Sequence, residues 1–167
     1  MSNQSAIALA LVLLACTAGV VMSSDLPTSN AVAAYPEGFR EWTHVKSALV
    51  GPQSPAYPRY GGLHGVYANA LAVNGYRSGR FEDGAIIVFD LFDTVEQAGT
   101  TAPGARKFID VMVRDSKRFA ATGGWGFEEF SGNSRSEGRL SHEQQTACFG
   151  CHQQLAASDL VISEFAD

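Results

Sequence analysis

The chain has 167 residues, 46% of them hydrophobic and 17% charged, with a formal charge of -5. That size and balance fit one compact domain and exclude a disordered tail. Acidic residues (17) outnumber Lys and Arg (12) and no basic run is present, so neither nucleic acid nor an anionic membrane surface is an expected partner. With 17 Gly and 10 Phe, the composition points to a sheet-containing domain with many tight turns, because glycine reaches the positive φ angles that turns need.

Ala6 to Met22 is apolar except for Thr17, too short and too weakly flanked for a membrane span, and it reads as an export signal. Ala31 and Ala33 form an A-x-A cleavage site before Ala34, with Ser23 as a nearer alternative. Leu13-Leu14-Ala15-Cys16 also resembles a lipoprotein signal that would anchor the chain through Cys16. Loss of Cys16 with a discarded signal is the preferred reading. The expected organisation is a cleaved signal over residues 1–33 and one periplasmic domain over 34–167. The cut removes Asp25 and no base, leaving 12 basic against 16 acidic residues, a charge of -4. Cys148 and Cys151 are then the remaining cysteines, a pair too close to staple a domain.

Tyr35 to Lys46 reads as a helix, since Pro36 suits a first turn and Phe39, Trp42 and Val45 fall three apart. Gly51 to Gly62, with Pro52, Pro55 and Pro58, is an ordered loop of the kind that borders a site. His64 to Ala68 is a strand, after which Asn69 caps helical turns through Tyr76, ahead of Gly79. Ala85 to Phe92 is the strongest strand signal, placed mid-sheet with Ala85, Ile87, Phe89 and Leu91 on one face. Phe108 to Arg114 alternates as a half-buried strand, Ile109, Val111 and Val113 opposite Asp110, Met112 and Arg114. Trp125 to Phe130 is a further strand after the Thr122-Gly123-Gly124 turn, and Ser131 to Arg139 is a surface loop. Ser141 with Gln144 is a capping-box pattern that opens a short helix running into the cysteines.

Cys148-Phe149-Gly150-Cys151-His152 is C-x-x-C-H, the attachment pattern of a c-type haem. Two thiols at this spacing reach the two vinyl groups of one porphyrin, and the adjacent His offers a neutral imidazole nitrogen to the iron. A zinc knuckle would need a second ligand pair, whereas the mature chain adds only the scattered His44, His64 and His142. A thioredoxin-like pair would open a helix after a strand, and this one lies near the end of the chain.

For the other face of the iron the inventory is short. Residues 153–167 contain neither Met nor His, and Met22 leaves with the signal. Met112 remains as a low-ranked sixth ligand, and His44 and His64 are further candidates, each with an ordinary packing role as the alternative. An open sixth position, ready for a small molecule, is therefore favoured. Phe89 or Phe92 from the central strand, with Tyr60 or Tyr67 from the segment before it, are the candidate walls of that pocket.

Several segments together resemble the cytochrome P-460 family, which includes the cytochromes c'-beta. They are Tyr35-Pro36 through Phe39-Arg40, WTHVKS (Trp42 to Ser47), HGVYAN (His64 to Asn69), GYRSGRFEDGAIIVFD (Gly75 to Asp90), DVMVRD (Asp110 to Asp115), TGGWGF (Thr122 to Phe127) and the terminal Cys148 to His152. The resemblance implies an α+β fold in which an antiparallel β-sheet is flanked by short helices, with one haem bound covalently near the C-terminus and commonly a homodimer. It implies Cys148 and Cys151 as thioether residues and His152 as the proximal ligand. Members that oxidise hydroxylamine carry an additional lysine bond to the porphyrin, before or within the central strands. Here Ser47 to Arg106 contains no lysine, which turns the expectation toward the c'-beta branch and the capture of nitric oxide or carbon monoxide under an apolar, Phe-lined cap. Hydroxylamine oxidation, with electrons passed to a partner cytochrome, and simple electron carriage are the alternatives. Arg59, Arg77 and Glu96 are the polar residues whose presence in the pocket would bring back proton-transfer chemistry.

Overall fold

The computed structural model describes residues 31–136 and 138–166. Most of the expected export signal, with Cys16 and Met22, lies outside the described residues. Among the described residues no helix is long and apolar enough to cross a membrane.

The fold is α+β: one five-stranded antiparallel sheet in the order β1-β2-β3-β4-β5, with short helices around it. The strands are β1 (Thr43–Val50), β2 (Gly62–Ala68), β3 (Ile86–Gln97), β4 (Thr100–Arg114) and β5 (Trp125–Ser131). Each strand pairs with the next in sequence, so every connection is local. The single-turn helix α1 (Tyr57–Tyr60) joins β1 to β2, α2 (Ala70–Ser78) joins β2 to β3, and α3 (His142–His152) follows β5. The Asn69 side chain caps α2 by accepting the Ala72 N–H at 2.9 Å, and Gly79 ends it in the left-handed conformation.

Both faces of the sheet are covered. One carries Ala68, Ile87, Met112, Trp125 and Phe127 and packs against α2, Phe81, Phe149 and the C-terminal Leu160–Val161. The other carries Val88, Ile109, Val111 and Phe130 and packs against Tyr35, Phe39 and Trp42 of the N-terminal segment. This corrects the half-buried reading of Phe108 to Arg114: Phe108 and Met112 are buried on one side, Ile109 and Val111 on the other. Alternation in the sequence reports one dry face only when the other is wet.

The expected helix over Tyr35–Lys46 is not formed. A 3-10 turn at Phe39–Glu41 follows the left-handed Gly38, and from Trp42 the backbone is extended into β1. Phe39 and Trp42 pack on one side of the sheet and Val45 on the other, so their spacing by threes served two faces rather than one helical stripe. Pairing with β2 and the β-branched Thr43 and Val45 override the pattern. The β3 and β4 strands also run past the expected ends, forming a two-stranded ribbon that turns at Ala98 and Gly99, both at positive φ.

Candidate functional site

The C-x-x-C-H motif occupies the last turn of α3. The helix starts where the capping box predicts: the Ser141 hydroxyl accepts the Gln144 N–H at 3.2 Å and the Gln144 side-chain oxygen accepts the Ser141 N–H at 2.8 Å. Three residues apart on a helix, Cys148 and Cys151 share a side, and both thiols are free. The His152 Nδ1 lies 2.7 Å from the Leu160 carbonyl oxygen, and the ring centroid stands 5.0 Å from that of Phe127. A carbonyl can only accept, so Nδ1 carries the proton and Nε2 keeps its lone pair for a metal. Burial lowers the proton affinity of His152 against the opposing pull of the Leu160 bond, which keeps the imidazole neutral at pH 7.

These residues fit a c-type haem: two unpaired thiols at vinyl spacing and an imidazole with one nitrogen oriented and the other free. They suit a dithiol redox pair less well. Such a pair uses the positive N-terminal end of a helix to lower its thiol, whereas here burial, followed by the Asp110 carboxyl, pushes the Cys148 thiol up. Among the described residues no group of three or more His, Cys, Asp or Glu could hold a metal ion such as a structural zinc.

The sheet face toward α3 carries a polar and aromatic set. In register across the sheet stand Lys46, Val66, Phe89, Asp110 and Glu129. The next row holds His64, Leu91 and Phe108. Arg59, on α1, reaches over this face and donates to Glu129 Oε2 at 2.7 Å, while Arg139 approaches Glu129 Oε1 at 3.5 Å. Arg59 also lies over the rings of Tyr60 and Phe108, and Tyr60 packs edge-on against Phe89 at 5.7 Å. The His64 ring lies against Phe89 at 4.5 Å, with its Nδ1 buried and without a hydrogen-bond partner. Burial, then the nearby Lys46, lowers the proton affinity of His64.

Asp110 is the most perturbed group. Burial, with the neighbouring Glu129 next, pushes its carboxyl from 3.8 up to about 8, and its protonated form hydrogen-bonds to Glu129. Asp110, Arg59 and Glu129 all act electrostatically on Cys148, which ties the carboxyl pair to the motif.

Of the expected pocket residues, the structure gathers Tyr60, Phe89 and Arg59 on this face. Tyr67 and Phe92 lie elsewhere. Tyr67 packs on Phe39 at 5.4 Å and on His44, beneath the N-terminal segment. Phe92 sits between Arg40 and Arg106, the two arginines that hold the buried Asp90. Arg77 is exposed on α2. Glu96 is in the ribbon, lining a cleft of about 240 Å³ with Leu49, Tyr57 and Thr94 that touches neither Cys148 nor His152. Met112 is packed in the core with Ile87 and Phe127.

Asp110, Glu129, Phe127 and the Leu160 carbonyl were not singled out from the sequence. A signal existed for the acids: Asp110 lies between Ile109 and Val111, and the pair Glu128-Glu129 lies between Phe127 and Phe130, in strands where a carboxyl is expensive to bury.

A comparison with curated proteins returns no match. The sequence profile of the cytochrome P460 family matches residues 36–163, which span the whole sheet and the C-x-x-C-H helix. The chain belongs to the cytochrome P460 family and is a haem protein of that family.

Proposed function

We propose that Cys148 and Cys151 bind one haem c covalently, that His152 is its axial ligand, and that the site oxidises a small nitrogen compound of the hydroxylamine class. The observation that carries the reading is the Asp110–Glu129 carboxyl pair on the face next to Cys148. A haem c held by Cys148, Cys151 and His152 would supply a redox-active iron that takes up electrons from a small substrate. An N–H or O–H substrate that loses electrons must also lose protons, and Asp110 is a proton acceptor with an affinity close to neutral pH. Glu129, held by Arg59 and Arg139, fixes the partner of that proton. Tyr60, Phe89 and Phe108 give the same sheet face an apolar, aromatic lining, and the electrons pass to a partner cytochrome.

The test is hydroxylamine turnover with an artificial electron acceptor across pH. The rate should rise as pH rises through about 8, where Asp110 loses its proton, and Asp110→Asn should lower it by roughly 10²-fold or more and flatten the profile. An unchanged profile in Asp110→Asn would sink the proton-acceptor role. Peptide mapping should be directed at Lys46, the lysine in register with Phe89 and Asp110, for a bond to the porphyrin.

A second reading, capture of nitric oxide or carbon monoxide, is favoured by the aromatic set of Tyr60, Phe89 and Phe108. It predicts a ferrous spectrum that shifts on adding gas, with no hydroxylamine turnover.

Export to the periplasm belongs to the same proposal, with cleavage upstream of Ala31. The Val32 N–H donates to Glu128 Oε2 at 2.8 Å and Ala33 packs beside Phe130 and Tyr35, so residues 32 and 33 are part of the folded domain. This favours the site near Ser23 over a cut after Ala33.

A further inference from the structure

The TGGWGF segment at the start of β5 has no part in the proton chemistry, and the structure connects it to His152 by another route. Asp159 and Leu160, consecutive residues with side chains, both have left-handed backbones, φ 51° and 70°. Residues with a Cβ avoid that conformation, and it persists where surrounding contacts over-determine it.

Those contacts are specific. The Trp125 indole N–H donates to the Asp159 carbonyl oxygen at 2.9 Å, and the Phe81 N–H donates to the Asp159 carboxylate at 2.9 Å. Arg114 lies 3.7 Å from the same carboxylate, stacks over the Trp125 ring and donates to the Gly123 carbonyl. The Leu160 N–H donates to Leu155 O at 3.0 Å. A Cβ on Gly123 would stand 2.6 Å from a Leu160 methyl, so the glycine is what lets the Leu160 side chain seat there. The corner's outward carbonyl, that of Leu160, is the acceptor for His152 Nδ1. Phe127, two residues after Trp125 on β5, meets the imidazole ring itself.

We infer that the Gly123–Phe127 segment and the strained Asp159–Leu160 corner form a positioning device for the proximal imidazole, with Trp125 as the positioning residue. Trp125 reaches His152 through the corner, by holding the Leu160 carbonyl where it receives the Nδ1 proton. A firm N–H···O=C bond makes the imidazole a stronger donor and favours the ferric over the ferrous state. The inference rests on the proposed axial role of His152.

The test uses the full chain matured with haem. Trp125→Phe keeps a ring in the core and removes the indole donor. It should shift the ferric-to-ferrous preference about tenfold toward ferrous, a rise of about 59 mV for a one-electron couple, and lower the iron–imidazole stretching frequency in the resonance Raman spectrum. Asp159→Asn, which loses the charge facing Arg114, should move both readings in the same direction by less. Ile109→Ala, on the opposite face of the sheet, should lower stability and leave both readings unmoved. A folded, haem-loaded Trp125→Phe with unshifted potential and Raman band overturns the inference while leaving the haem reading intact. If Trp125→Phe does not fold, an unshifted Asp159→Asn overturns it alone. Protein matured in a haem-attaching host that carries no thioether-bound haem overturns both.

Discussion

Asp110 shows how a single side chain couples the site to the fold. Its carboxyl holds a proton up to about pH 8 in the folded protein and releases it near 3.8 in the unfolded chain. Between those values the folded state binds more protons, so stability falls as pH rises. The contribution is whole below pH 3.8 and is lost as pH passes through about 8. Asp110→Asn cannot ionise, and its unfolding free energy, followed by denaturant titration at pH 5, 7 and 9, should lose most of that slope. At pH 9 it should be the more stable protein. His152 carries the corresponding test of the proposed haem: His152→Gly should leave two thioether links measurable by intact mass, while the absorption spectrum recovers only on adding imidazole.

At the level of elements, α3 depends on its cap. None of its residues is fully buried, so little tertiary packing supports it, and the Ser141–Gln144 box supplies its most definite interaction. Ser141→Ala should destabilise the protein by about 1 kcal/mol and increase hydrogen exchange of α3 amides ahead of those of the sheet. The same cap was readable from sequence because its partners are three residues apart. So was α2, whose Asn69 and Gly79 both act within one turn of the helix. The Tyr35–Lys46 segment was not readable in this way. Its apolar residues are divided between two faces by pairing with a strand some twenty residues on, and local spacing carries no record of that partner.

Across the whole molecule, burial on both sides makes the sheet the stability centre. Ile109 is fully buried at the middle of the N-terminal face, among Val88, Val111, Phe130 and Phe39. Ile109→Ala should cost about 2–5 kcal/mol in equilibrium unfolding, far more than any cap. The N-terminal segment that covers this face includes Val32, whose N–H donates to Oε2 of Glu128, a side chain 1% exposed whose Oε1 accepts the Glu129 and Leu140 N–H groups. N-terminal sequencing of the mature protein should therefore find a terminus before Ala31, and truncation to Ala34 should lower stability by roughly 1–3 kcal/mol, because Glu128 Oε2 loses its backbone donor while Oε1 keeps those of Glu129 and Leu140.

Chain connectivity is why Cys148, Cys151 and His152 were legible before any fold: their spacing is covalent, and C-x-x-C-H presents the same atoms on any short helix. The central strand and the two principal helix starts were legible for a related reason, since their determinants sit within a few neighbouring residues. What surrounds the motif is different in kind. Arg59 meets Glu129 across 70 positions, and the Val32 bond to Glu128 crosses 96. Which acids face Cys148 follows from strand register, where a slip of one residue sends every side chain to the opposite face. Only the packed sheet decides that Asp110 and Glu129 come within electrostatic reach of Cys148, that Tyr67 and Phe92 lie elsewhere, and that a backbone carbonyl steadies the imidazole.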